Sequence, residues 1–293
     1  MATLRDIKNR INGVQNTQKI TNAMKMVAAA KLRRAQENVI NARPYTNEIS
    51  RMLSHLVTEY DKNTNPYIIS RKVENAAVVV VTADRGLCGA FNTNLIKEAV
   101  RYINEELNSE NINPYLFCIG KKGYDYFNKR NYNIVSSKTG IFSSLSYGSV
   151  NSITQELING FIGGQFDKVV IIYNEFKSII SQKIVISQFL PVPINNNDSD
   201  KNKPVSSNYI YEPDQKSIFN FLLPKHLKAQ LWRVLLESNA AELGAKMTAM
   251  DNATTNAKEL IRTLRIKYNK ERQAAITKEI LEIVSGANAL KSE

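Results

Sequence analysis

The sequence predicts an α/β protein in two parts: a long antiparallel coiled coil of its N- and C-terminal helices plus a small α/β domain between them. Three observations carry this expectation. Both ends of the chain repeat apolar residues every three or four positions, the middle switches to continuous apolar runs of strand length, and the positive charge is concentrated at the two ends.

The N-terminal element is read from Thr3 to about Val57, with only Gly13 and Pro44 interrupting a run of good helix formers. Leu4, Ile7, Ile11 and Val14 begin a heptad seam that Ala28, Leu32, Ala35, Val39 and Ala42 continue. Between them the seam turns polar at Gln18, Thr21 and Lys25, while apolar residues move to a neighbouring face at Ile20, Met24 and Val27. Such a shift suits a helix that serves a second partner besides its coiled-coil mate; a local wobble of the helix gives the same pattern.

The middle, about 76 to 195, contains the runs Ala77–Thr82, Tyr115–Ile119 and Val169–Tyr173, read as strands covered on both faces. Helical patterns at Leu95 to Leu107 and Val150 to Phe161 lie between them, and Lys183–Ser187 is expected to close an edge. Alternation of this kind predicts parallel pairing in a small Rossmann-like domain. A polar tract, Asn195–Lys203, follows.

The C-terminal element is expected to start with Pro224 in its first turn and to stop at Gly286. Helices of this length span roughly 80 to 90 Å, too long to be buried in one globule, so the economical arrangement is an antiparallel pair. Small residues at Ala240, Ala241, Gly244, Ala245 and Ala249 are expected to face Ala28, Ala29 and Ala30. Near the end, Ile276, Ile280, Ile283, Ala287 and Leu290 form a strict apolar seam, and Arg272, Gln273, Thr277, Glu279 and Glu282 occupy the other faces. A helix so decorated suits a tip inserted into a socket. The expected organisation is therefore 1–57 helix, 58–75 linker, 76–195 α/β domain, 196–213 polar loop and foot, and 214–293 helix.

Charge and motif content narrow the function. Residues 1 to 57 hold ten basic against three acidic side chains, and residues 214 to 293 thirteen against nine, so most of the net +12 belongs to the terminal segments. They should meet acidic partners, whether nucleic acid, an anionic membrane surface or an acidic protein. Apolar runs are too short to span a membrane, and the N-terminus does not read as a secretory signal. The loop Asp84–Ala90 supplies only Gly-x-x-Gly, and a phosphate-binding Gly-x-x-x-x-Gly-Lys-Ser/Thr loop occurs nowhere in the chain. Gly120-Lys-Lys-Gly123 reads as a strand-to-helix turn with solvated lysines. His55 and His226 read as ordinary helical histidines, and Cys88 and Cys118 as reduced packing thiols. No catalytic residue, cofactor or metal site is expected.

The chain resembles the gamma-subunit family of the F-type, rotary ATP synthases, in its bacterial form, over essentially its whole length. The resemblance rests on Val14-Gln-Asn-Thr-Gln-Lys-Ile-Thr-Asn-Ala-Met-Lys-Met-Val-Ala28, Asp84-Arg-Gly-Leu-Cys-Gly89, Tyr211-Glu-Pro-Asp214 and Ile276-Thr-x-Glu-x-x-Glu-x-x-x-Gly-Ala-x-Ala289. It implies a non-catalytic central rotor shaft that couples proton-driven rotation of a membrane ring to ATP synthesis in an alpha/beta ring. The implied partners are the alpha and beta subunits, the epsilon subunit and the ring of c subunits, with the chain held peripherally at the cytoplasmic face of the bacterial plasma membrane. It further implies that Met24 and Lys25 lie beside an acidic lever of beta and that Arg272, Gln273, Thr277 and Glu279 lie near an upper bearing. Tyr209, Tyr211 and Glu212 would face the ring and epsilon. Lys19, Lys25, Lys31, Arg33 and Arg34 form a basic collar that the same lever would press. A basic coiled-coil nucleic-acid-binding protein is the alternative reading.

Overall fold

The computed structural model describes residues 3–56, 65–179, 181–193 and 211–291, with side chains of 54, 55 and 288–291 excepted. Tyr209, the polar tract 195–203 and the side chain of His55 lie outside the described residues. The chain divides into two compact units, one formed by the chain up to Ala28 with that from Met247 onward, the other by Ala29–Lys246.

Helix α1, Leu4–Leu56, starts at a capping box in which the Thr3 hydroxyl accepts from the Asp6 amide at 3.3 Å and the Asp6 carboxylate accepts from the Thr3 amide at 2.9 Å. In the first unit Ile7 and Ala28 of α1 are buried. The polar seam positions remain in the interface: Thr21 meets Thr254 at 2.8 Å and Lys25 meets Asp251 at 2.6 Å, contacts that fix an antiparallel pairing with α5, Gln215–Lys291.

The second unit holds a five-stranded sheet of order β3-β2-β1-β4-β5: β1 Asn75–Val81, β2 Asn113–Ile119, β3 Ile134–Lys138, β4 Lys168–Phe176 and β5 Gln182–Leu190. The first four strands run parallel and β5 closes the edge antiparallel to β4. Val78 and Val80 of β1 face a core with Leu95 and Ala99 of α2, Phe91–Tyr102, and Phe127 of α3, Lys121–Asn128. Val79 and Val81 face Leu157 and Phe161 of α4, Tyr147–Ile162, together with Leu227, Leu231 and Leu235 of α5. Both faces are thus sealed, as continuous apolar strands require. Within this unit α1 also runs antiparallel to α5. The fully buried Glu237 carboxylate is 3.5 Å from Arg43 of α1 and 3.0 Å from Arg233, and Asn65 donates to Asn220 at 2.9 Å.

Three expectations are corrected. Pro224 lies inside α5, which starts instead where the Asp214 carboxylate accepts from the Ser217 amide at 2.8 Å; the carbonyl deprived of its donor by Pro224 belongs to the exposed Asn220, where water can substitute. The helix also passes through Gly286 to Lys291. Positive φ among the described glycines is confined to Gly89, Gly120, Gly140 and Gly164, and without a left-handed conformation a glycine costs a helix about 1 kcal/mol but does not end it. Finally, Ala241, Gly244 and Ala245, expected to line the helix pair, pack on the α/β domain. A Cβ on Gly244 would stand 3.3 Å from the Ile179 carbonyl and 3.4 Å from the Phe176 ring, so these small residues let α5 approach the sheet closely.

His226 on α5 is half-buried, and its Nδ1 is shut off from water with no partner among the described residues. Burial lowers its pKa to about 4, from about 6.5 for a free imidazole. The folded state therefore binds fewer protons between those values, so stability is complete above pH 6.5 and lost as pH falls towards 4. The expected loss is up to about 3 kcal/mol. Denaturant titrations from pH 7 to 4 should show this loss, and His226→Leu should flatten the part that falls between pH 6.5 and 4.

Candidate functional site

In a doubly wound sheet a ligand would lie outside the carboxyl ends of the strands where the order reverses, here between β1 and β4. That crevice is filled by the protein itself. Ala83, Cys88 and Phe91 from the β1–α2 connection pack with Ala241 of α5, and Phe176 and Ala245 complete the cluster. The neighbouring loops are equally committed. The Asp84 carboxylate accepts from the amides of Lys121 at 3.1 Å, Gly140 at 2.7 Å and Phe142 at 3.1 Å, so an internal anion occupies the backbone donors that a phosphate would use. The Thr82 hydroxyl accepts from the Gly123 amide at 2.8 Å, and a Cβ on Gly120 would come within 2.0 Å of the Thr82 carbonyl. Both glycines of Gly120-Lys-Lys-Gly123 are therefore packing residues, and Lys121 and Lys122 are exposed.

The two thiols are buried and free. Burial pushes Cys118 up to about 12; burial, then the nearby Glu242 charge, raises Cys88. Neither is poised as a thiolate nucleophile. No group of His, Cys, Asp and Glu among the described residues has the geometry of a metal site, and no described helix is long and apolar enough to cross a membrane.

The longest runs of exposed apolar side chains are on the long helices, although Leu87 and Ile162 of the α/β domain are exposed as well. In the first unit Ile20, Met26 and Val27 of α1 are 60%, 60% and 56% exposed, and Met24 is half-buried beside them. Lys25 is turned away from that apolar face into its ion pair with Asp251. On α5, Arg272, Gln273, Thr277 and Glu279 are all exposed on successive turns. Among them Ile276, Ile280, Leu281, Ile283 and Val284 are 48% to 71% exposed. Leu281 and Val284 add to the seam read from sequence, so apolar surface extends over more than one face. An exposed apolar segment of this size, interleaved with fixed polar groups, marks a partner site.

In the second unit Arg33 and Arg34 of α1 are exposed; Arg33 lies 3.5 Å from Glu37, and Arg34 has no ion pair among the described residues. Lys31 is likewise exposed. Tyr211 packs half-buried against the cluster of Ile49, Leu53, Leu56, Phe219 and Leu223, and Glu212 beside it is exposed. Phe221 was not singled out from the sequence. It is 62% exposed with the Lys225 ammonium 3.8 Å from its ring centre, and its helical offset from the buried Phe219 is the signal that reveals it.

Comparison with known proteins finds relatives over essentially the whole chain. A family model described as ATP synthase matches residues 3–290. The ATP synthase gamma chain of Chlorobaculum tepidum is 50% identical over 294 residues, covering 99% of this chain and 100% of that one. That of Chloroherpeton thalassium is 49% identical over 301 residues, covering 99% of each. Among solved structures, a chain of the Euglena gracilis mitochondrial ATP synthase, OSCP/F1/c-ring in rotational state 3, shares the fold with a TM-score of 0.68 at 22% identity, covering 98% of this chain and 94% of its own. A chain of the Tetrahymena thermophila mitochondrial ATP synthase central stalk and c-ring gives 0.61 at 24% identity, covering 80% of this chain and 99% of its own.

The commitment of Asp84 to three backbone donors predicts that Asp84→Ala lowers the stability of the chain by about 2 kcal/mol, with unchanged helix content. Denaturant unfolding followed by circular dichroism tests this; an unchanged midpoint would mean that water satisfies the three amides equally well.

Proposed function

This chain belongs to the ATP synthase gamma-chain family, and on that premise we propose how its surfaces serve as the central rotor shaft of the proton-translocating F-type enzyme. It couples rotation of a membrane ring of c subunits to ATP synthesis in the alpha/beta ring, and it is itself non-catalytic. It works at the cytoplasmic face of the bacterial plasma membrane, as a peripheral component held there by the complex.

The exposed end of α5 is the bearing. The single observation that carries this is that five large aliphatic side chains between Ile276 and Val284 are exposed. In the complex the alpha and beta subunits enclose them, with Arg272, Gln273, Thr277 and Glu279 offering hydrogen bonds to the surrounding walls. Ile20, Met24 and Val27 meet the acidic lever of beta, with Arg33 and Arg34 as its counter-charges. Lys25 has a carboxylate of its own at 2.6 Å, which supports a role for it inside the helix pair. Tyr209, Tyr211 and Glu212 form the foot towards epsilon and the c ring, and the exposed Phe221 extends it.

The mechanism follows from chemical asymmetry. Around the tip helix, Ile276, Thr277 and Lys278 point in different directions, so each catalytic subunit meets a different surface at a given angle. Turning the helix then changes which conformation of each subunit is favoured, and differential contact is the only way such a shift can be driven. The alternative, a basic coiled coil that binds nucleic acid, is favoured by no specific observation, and Lys25 already faces a carboxylate of the chain itself.

Since Ile280 is exposed, Ile280→Asp should leave the unfolding of the isolated chain unchanged. In the assembled complex the same change should weaken the bearing by a few kcal/mol, because it encloses an unpaired carboxylate. Heat tolerance and assembly yield of the mutant complex measure this, and values equal to those of the native complex would rule out an enclosed tip.

A further inference from the structure

Between Gln18 and Ala28 the helix pair of the first unit has a seam that discriminates poorly between alignments. Its apolar members are small or flexible: Ala28 is buried on α1, Ala253 and Ala257 are half-buried and buried on α5, and the one large side chain buried there is Met250, an unbranched residue that repacks readily. A helix displaced by one turn, about 5.4 Å, would present much the same surface. Two polar contacts interrupt this permissive stretch. The Thr21 and Thr254 hydroxyls lie 2.8 Å apart, each also within reach of a carbonyl of its own helix, Gln18 at 3.1 Å and Met250 at 2.7 Å, so either can donate across the seam. One turn along each helix, the Lys25 ammonium meets Asp251 at 2.6 Å.

Neither contact can be kept after a slip. One turn in either direction would bring Lys25 beside Met247 and Thr248 or beside Thr254 and Thr255, and Asp251 is the only acidic residue between 243 and 258. The ion pair is itself partly open to water, with side chains 36% and 53% exposed, so it adds little to stability. Its effect is on the choice among alignments, the best-attested use of polar groups in a helix interface.

We infer that Thr21–Thr254 and Lys25–Asp251 form a register lock that holds α1 and α5 in axial alignment within the first unit, where the grip contacts of the second unit are absent. The inference rests on the rotor reading for its consequence. Ile20, Met24 and Val27 are carried by α1 and the bearing residues by α5, so a slip would shift one set of contacts along the other by about a turn and uncouple their timing. Lys25 and Asp251 are thus positioning residues for torque transfer rather than contacts with a partner.

The test uses the assembled complex with spin labels at the exposed Asn12 and Asn252, offset along the helices so that a slip changes their distance by several ångström. The native chain should give one distance. Lys25→Asp and Asp251→Lys should each add a second distance and lower the ratio of ATP-driven proton pumping to ATP hydrolysis roughly threefold. The double exchange should restore both. Single variants that retain the one native distance, or a double exchange that fails to restore it, would overturn the lock. If the single variants do not assemble, the double exchange decides alone: native assembly and distance support the lock, and failure contradicts it. A native complex that hydrolyses ATP without pumping would count against the rotor reading, while the distances would still judge the lock.

Discussion

The close packing of α5 on the sheet is the interaction on which the rest depends. Leu227, Leu231 and Leu235 close one face of the strands, and within the next three turns Ala241, Gly244 and Ala245 enter the crevice at the end of β1 and β4. One helix therefore completes the hydrophobic core and occupies the place where a doubly wound fold otherwise binds a ligand. The price is chemical: with the crevice full and Asp84 holding the loop amides, the domain has nothing left with which to cradle phosphate. Its rigidity serves instead to grip a helix.

Grip and contact divide along the chain. In the second unit, apolar burial and the Arg43–Glu237–Arg233 cluster hold α1 to α5, and removing one partner of a fully buried carboxylate costs several kcal/mol. In the first unit the buried set is shorter, Ile7 and Ala28 of α1 with Met250, Ala257, Ile261 and Leu264 of α5, supplemented by half-exposed polar contacts. Beyond it, α5 from Ile276 to Val284 has large apolar side chains exposed, which is the observation behind the proposal that other subunits enclose it. Function thus sits where the chain's own packing is weakest.

Much of this was legible in the sequence, for identifiable reasons. β1, β2 and β4 announce themselves because strands buried on both faces are continuously apolar, and β5 was recognisable as an edge. β3 was not, because Ile134-Val-Ser-Ser-Lys138 is an edge strand of alternating, half-exposed residues with no apolar run. Gly120-Lys-Lys-Gly123 reads as a strand-to-helix turn, and α3 begins inside it at Lys121, because Gly120 caps the helix and Gly123 packs on Thr82 within its first turn. Pro224 and Gly286 misled because punctuation residues end a helix only when the backbone adopts the matching conformation. The apolar shift at Ile20 and Val27 and the exposed tip were visible from periodicity. Lys25 was not, since its partner Asp251 is 226 residues away and only the antiparallel register brings them together.

The central claim is that this chain turns inside a ring of alpha and beta subunits. A probe attached at the exposed Lys129 of the α/β domain, with the alpha/beta ring fixed to a surface, reads that motion directly in single complexes. The account predicts continuous rotation of the probe in one direction when ATP is supplied, stopping when ATP is exhausted. A probe that stays still while the same complexes hydrolyse ATP would contradict it.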